Sequence, residues 1–182
     1  MAADGLTLIS GPAGSGKSRW AEQLAEASGR QVVYLATGPL RLDDEDWQER
    51  LRRHRVRRPA SWSCREVQGA LSEALGALEP GQIGLVDSLG TWVAAHLELA
   101  EGDWCQQREA LLAAVASTRA PLLLVCEEVG WGLVPPTAAG GCFRNRLTAL
   151  QRCLGEAAQA SWLVLQGRAL DLRALGVPVD PD

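Results

Sequence analysis

The sequence predicts an α/β fold on a parallel sheet, and three observations carry that prediction. Five short apolar runs alternate with longer stretches whose apolar residues recur at helical spacing. A glycine-rich turn joins the first run directly to the first helical stretch. The chain has 182 residues, 47% of them hydrophobic, enough for a core and incompatible with disorder as the main state. Residues 1–176 are expected to form a single domain, and 177–182 a frayed tail.

Taken in order, residues 6–10 read as a buried strand, and Trp20, Ala21, Leu24 and Ala25 mark a helix over 18–27. Residues 31–36 form the second strand candidate. A charged helix, opened by acids in its first turn, follows over 43–54, and a plainer amphipathic one over 66–78. The remaining strands are expected at 83–86, 122–125 and 162–165, and the remaining helices at 89–99, 106–117 and 143–160. Residues 130–141 hold two prolines and four glycines and read as a loop.

Lys and Arg total 18 against 22 Asp and Glu, a formal net charge of −4. That balance gives no general attraction to nucleic acid or to an anionic membrane, so neither is an expected partner and any basic cluster needs a local explanation. The five cysteines are widely spaced, odd in number and without a CxxC pair, which argues against a disulfide framework or a zinc site and for a reducing cytosol. No run approaches the ~18 apolar residues of a membrane span, and the first residues lack the pattern of a secretory signal. The expectation is a cytoplasmic protein.

Gly11, Pro12, Ala13, Gly14, Ser15, Gly16, Lys17 and Ser18 satisfy the P-loop pattern between a predicted strand and a predicted helix. Backbone N–H groups of such a loop wrap the β- and γ-phosphates of a nucleotide, and the helix adds its positive N-terminal end. Lys17 bridges the phosphates in this reading, while the Ser18 hydroxyl ligates Mg²⁺. Lys17 is the only lysine beside 17 arginines. A compact ammonium fits between two phosphates where a planar guanidinium does not, so the compositional bias has spared the one position that the chemistry restricts. Asp87, closing the apolar run 83–86, has the placement of a second Mg²⁺ ligand, although an acid before Ser88 is equally an ordinary turn or helix-capping residue.

Six of the nine residues 50–58 are arginine, with His54 among them. Such a density repels itself unless anions are near. It reads either as a phosphate-binding segment presenting His54 to a nucleotide or as a solvated helix end. A neutral imidazole can attack an α-phosphorus atom with pyrophosphate leaving, and then hand the nucleotidyl group on. His96, the other histidine, sits in a predicted helix and reads as structural. Glu128 is a candidate proton acceptor by position, and equally a structural acceptor.

The chain resembles the bifunctional adenosylcobinamide kinase/adenosylcobinamide-phosphate guanylyltransferases of cobalamin biosynthesis. The resemblance rests on the P-loop followed by Arg19, on Tyr34, Leu35, Ala36 and Thr37, and on the His54, Arg55, Arg58, Pro59 series with Trp62 and Glu66. It extends through Leu85 to Leu89 and through Glu128, Val129, Gly130, Trp131, Gly132, Leu133, Val134 and Pro135. It implies a P-loop NTPase-like three-layer α/β domain with a mostly parallel sheet. It also implies two reactions: phosphorylation of adenosylcobinamide by ATP or GTP, then transfer of GMP from GTP through a guanylylated His54 to the cobinamide phosphate. By the same resemblance Ala36, Thr37, Gly38, Arg55, Val56, Arg57, Arg58, Glu66 and Asp87 contact the nucleotide or its metal, and the protein forms homo-oligomers, commonly trimers. Two other readings stand beside it: a different P-loop small-molecule kinase or NTPase without guanylyl transfer, and a non-catalytic nucleotide-binding regulator.

Overall fold

A computed structural model describes residues 4–39 and 45–179, apart from the side chains of residues 46, 47, 50, 51, 53 and 54. Strands β1 (Leu6–Gly11), β2 (Gln31–Ala36), β3 (Ser63–Glu66), β4 (Gln82–Asp87), β5 (Leu122–Glu127), β6 (Ala160–Leu165) and β7 (Arg168–Asp171) form one sheet in the order β3-β2-β4-β5-β1-β6-β7. Every neighbouring pair is parallel except β6 and β7. The helices are α1 (Lys17–Ala27), α2 (Glu45–Arg57), α3 (Leu71–Gly76), α4 (Leu89–Ala95), α5 (Glu101–Ser117), α6 (Ala138–Ala157) and α7 (Leu172–Leu175).

The inner strands β1, β2, β4 and β5 are buried on both faces, and their period-two alternation divides the core in two. Leu8, Val33, Leu35, Val86, Leu122 and Leu124 pack with Leu71, Trp92, Trp104, Leu111 and Leu150 from the helices on one face. Ile9, Val32, Tyr34, Ile83, Leu85, Leu123 and Val125 pack with Ala21, Leu24 and Ala25 of α1 on the other. This is the expected three-layer α/β architecture, and all five expected strands are present.

Four local expectations are corrected. The stretch 66–78 is not one helix: Glu66 ends β3, the backbone N–H groups of Val67 and Gln68 still donate to Ala36 O, and Gln68 has φ 43°, so only Leu71–Gly76 is helical. Strand β7 was not expected. It is an antiparallel edge strand reached through Gln166 and Gly167, both at positive φ, which matches the twist of a tight hairpin. Helix α6 begins inside the presumed loop because the Thr137 side chain accepts from the Gly140 N–H and caps it. Helix α4 stops at Ala95, beyond which the Arg146 guanidinium takes up the carbonyls of His96, Leu97 and Leu99. In the expected tail, Val177 and Val179 are exposed, and residues 180–182 lie outside the described residues.

The parallel sense brings the C-terminal ends of β1, β2, β4 and β5 to one edge. From β1 the chain runs toward β2 on one side of the sheet, whereas from β5 it crosses to β6 on the other. Ligands of open α/β sheets bind at the carboxyl ends of strands around such a reversal.

Candidate functional site

The P-loop begins at Gly11, the last residue of β1, and ends at Ser18, the second residue of α1. Gly14 has φ 72° and Gly16, the residue before the helix, φ 101°, conformations that side-chain-bearing residues rarely adopt. Lys17 is 5% exposed, and its Nζ donates to Pro12 O at 3.2 Å. Among the described residues no carboxylate pairs with this ammonium, so its charge is available to an anion. The Ser15 hydroxyl is buried without a partner, and Ser18 is half-buried on the first turn of α1. Ala13 and Lys17 line an open cleft of about 260 Å³, whose other walls include Ala36, Gly38, Arg58, Asp87 and Phe143.

Asp87 lies across this cleft at the end of β4. Its carboxylate accepts from Tyr34 Oη at 2.7 Å, and the Arg58 guanidinium lies 3.5 Å from the centre of the Tyr34 ring. Burial, and then the Asp87 charge, push the Tyr34 hydroxyl well above its ordinary range, so it remains a donor. The Asp87 carboxylate and the Ser18 hydroxyl are hard oxygen donors of the kind Mg²⁺ prefers. No group of three or more His, Cys, Asp or Glu suited to a metal occurs among the described residues. A cation held by these two oxygens would need its remaining ligands from phosphate and water, as Mg²⁺ commonly has beside nucleotides.

A buried polar network joins three strand ends behind Asp87. Thr37, fully buried after β2, donates its hydroxyl to Ser88 O at 2.6 Å and sits 2.6 Å from Thr91 Oγ1. Ser88 caps α4 in a reciprocal arrangement with Thr91. Glu127, ending β5, accepts from Ser88 Oγ at 2.6 Å and from the Gly90 N–H at 3.0 Å. A Cβ on Gly90 would strike the Glu127 carboxylate, so the close approach requires glycine.

Three arginines of the segment find carboxylate partners within the protein. Arg57 makes a two-pronged pair with Glu22 of α1 at 3.0 and 3.3 Å, Arg55 pairs with Glu66 of β3 at 3.1 Å, and Arg52 pairs with Glu49. These contacts are largely exposed, and each contributes about 0–1 kcal/mol. The Arg57 and Arg55 pairs fasten α2 to α1 and β3, while Arg52–Glu49 is internal to α2. Val56 is exposed. His54 lies on α2, and its side chain is outside the described residues. Glu128 accepts from Gln151 and does not line the cleft, whereas Glu127 does. Sequence reasoning had missed Glu127, Ser88 and Thr91. Glu127 carried the same signal as Asp87, an acid closing an apolar strand.

A sequence profile of the family described as "Cobinamide kinase / cobinamide phosphate guanyltransferase" matches residues 7–172. The chain belongs to this family. The "Bifunctional adenosylcobalamin biosynthesis protein CobU" of Escherichia coli (strain K12) is 33% identical over 183 residues, covering 92% of this chain and 99% of that protein. The "Bifunctional adenosylcobalamin biosynthesis protein CobP" of Pseudomonas aeruginosa is 40% identical over 130 residues, covering 70% and 74%. Among solved structures, an ATPase from the type III secretion system of pathogenic bacteria superposes with TM-score 0.59 at 8% identity, covering 96% of this chain and 59% of that one. The RadB recombinase superposes with TM-score 0.50 at 17% identity, covering 89% and 74%. These two likenesses show the P-loop NTPase fold that this member of the cobinamide kinase family shares. No helix among the described residues is long and apolar enough to cross a membrane.

Proposed function

We propose that this chain performs both reactions of its family at the cleft between the P-loop and Asp87. In the first, the hydroxyl of the aminopropanol arm of adenosylcobinamide attacks the γ-phosphorus of ATP or GTP. The bond to the bridging oxygen breaks, and the nucleoside diphosphate leaves while Lys17 and the P-loop N–H groups offset the charge it gains. In the second, a ring nitrogen of His54 attacks the α-phosphorus of GTP and pyrophosphate leaves. A phosphate oxygen of adenosylcobinamide phosphate then takes the GMP, giving adenosyl-GDP-cobinamide and freeing His54.

The observation that carries this reading is one cleft holding Lys17, Asp87 and Arg58, with α2, which bears His54, tied to its frame through Arg57–Glu22 and Arg55–Glu66. Ser18 and Asp87 would hold Mg²⁺, which when bound screens the phosphate charge. Ala36, Gly38 and Arg58 line the nucleotide pocket in this reading, with Arg55, Val56, Arg57 and Glu66 at its margin. Self-association, with trimers as the expected size, is supported by the exposed Trp131, Leu133 and Val134 after β5. A cytoplasmic location is supported by five free cysteines.

The test is incubation with GTP labelled at the α-phosphate. An acid-labile, base-stable label on the folded protein is expected. His54→Ala should abolish that label while phosphorylation of adenosylcobinamide continues. An unlabelled parent that still phosphorylates would instead favour a P-loop kinase without guanylyl transfer, and loss of both activities in a folded His54 variant would contradict the division of labour.

A further inference from the structure

We infer that Glu127 is a positioning residue that sets the Asp87–Gly90 segment against the P-loop and thereby governs metal-assisted nucleotide binding. The inference rests on the nucleotide reading of the cleft given above. The register places Glu127 beside Gly11, the first residue of the P-loop, on one side, while β5 pairs with β4 on the other. The same side chain therefore bridges the two parts of the site that must meet the phosphates from opposite directions.

Both carboxylate oxygens are engaged. Oε1 accepts from the Ser88 hydroxyl and Oε2 from the Gly90 N–H, so one residue holds the peptide that follows Asp87 at two points. Ser88 is 4% exposed and its carbonyl is held from behind by the fully buried Thr37, which prevents the segment from shifting as a whole. With each oxygen accepting from a different residue, the carboxylate anchors the segment at two separated points. Glu128, the neighbouring acid, accepts instead from Gln151. Gly90 completes the fit, since any side chain there would displace the carboxylate.

Two substitutions separate anchoring from charge. Glu127→Gln retains both contacts, its amide oxygen accepting from Gly90 and its amide nitrogen donating to Ser88, whereas Glu127→Ala removes both. The measurement is calorimetric binding of a non-hydrolysable ATP analogue to the full chain, with Mg²⁺ and again with EDTA, alongside hydrogen exchange at the Gly90 amide. In Glu127→Ala, affinity with Mg²⁺ should fall about tenfold, the loss expected when an anchored charge contact is released. Affinity in EDTA should stay at the parent value, and exchange at Gly90 should accelerate. Glu127→Gln should match the parent in all three. A loss of equal size in EDTA would mean a merely structural role, and a Glu127→Gln variant as weak as Glu127→Ala would mean that the charge itself is needed; either overturns the inference. Parent-like binding by Glu127→Ala overturns it while leaving the nucleotide reading intact. A parent that binds no nucleotide overturns both.

Discussion

Tyr34→Phe deletes one oxygen and leaves the ring on which Arg58 stacks, so it isolates the bond from Tyr34 to Asp87. Hydrogen bonds to charged groups contribute about 1.5–3 kcal/mol, and because Asp87 is only half-buried water can replace part of the loss, which points to about 1.5 kcal/mol. For a chain of this size each kcal/mol corresponds to about 2–4 °C, so the melting temperature near neutral pH should fall by about 3–6 °C. The alkaline limb gives an independent check. Burial and the Asp87 charge raise the Tyr34 hydroxyl well above its ordinary 10.0, so in the parent the unfolded chain releases this proton before the folded one does. The folded state binds the extra proton, and its stability is full below pH 10.0 and declines as pH rises from there toward the raised folded value. The variant lacks that group and should decline less steeply. Cys126, whose buried thiol is raised above its ordinary 9.0, contributes the same earlier decline in both proteins and serves as an internal reference. Circular dichroism melts across neutral and alkaline pH make the measurement. An unchanged melting temperature together with an unchanged alkaline limb would refute the reasoning.

Further outcomes are expected. Lys17→Arg should fold normally yet lose phosphoryl transfer by about 100-fold or more in a coupled assay, because the planar guanidinium replaces a point charge between phosphates; parent-like turnover would contradict the P-loop assignment. Glu22→Ala should cost about 1 kcal/mol or less in denaturant melts, since Arg57 is 38% exposed and the pair is screened by solvent, and the loss should shrink in high salt. Trp92→Ala empties a fully buried site and removes the indole bond to Gly69 O, and chemical denaturation should register a loss of about 3–5 kcal/mol. Chelation of Mg²⁺ should stop phosphoryl transfer and leave the melting temperature of the nucleotide-free protein unchanged.

The parts of the fold that were legible in the sequence are those with a local physical signature. A doubly buried parallel strand must be apolar on both faces, so β1, β2, β4 and β5 announced themselves as apolar runs, and β6, half-buried, showed the same run at 162–165. Edge strands carry no such requirement: β3 and β7 are half-exposed, and short alternating segments such as Ser63–Glu66 resemble the opening of a helix until a partner supplies the ladder. The Gly140–Gly141 pair likewise suggested a loop, whereas Thr137 and the packing of Arg146, Leu147 and Leu150 carry the helix through it.

The site divides in the same way. The P-loop is written in contiguous residues because backbone conformation, helix start and lysine must follow one another along the chain, and together with the His54 series and the Glu128–Pro135 block it pointed to the family that the match over residues 7–172 establishes. Which anions meet Arg55 and Arg57 was not written locally. Glu49 pairs with Arg52 within α2, but Glu22 and Glu66 meet Arg57 and Arg55 only because the folded chain brings α1 and β3 to α2. Nor could spacing choose between Glu127 and Glu128, adjacent acids that differ by one step in a period-two strand. Only the register against β1 and β4 decided that Glu127 meets Ser88 and Gly90 while its neighbour turns to Gln151. The sequence by itself determined the chemistry that a continuous loop can hold. The tertiary structure decided the contacts made between strand ends, because those depend on which strands are neighbours and not on the order in which they occur.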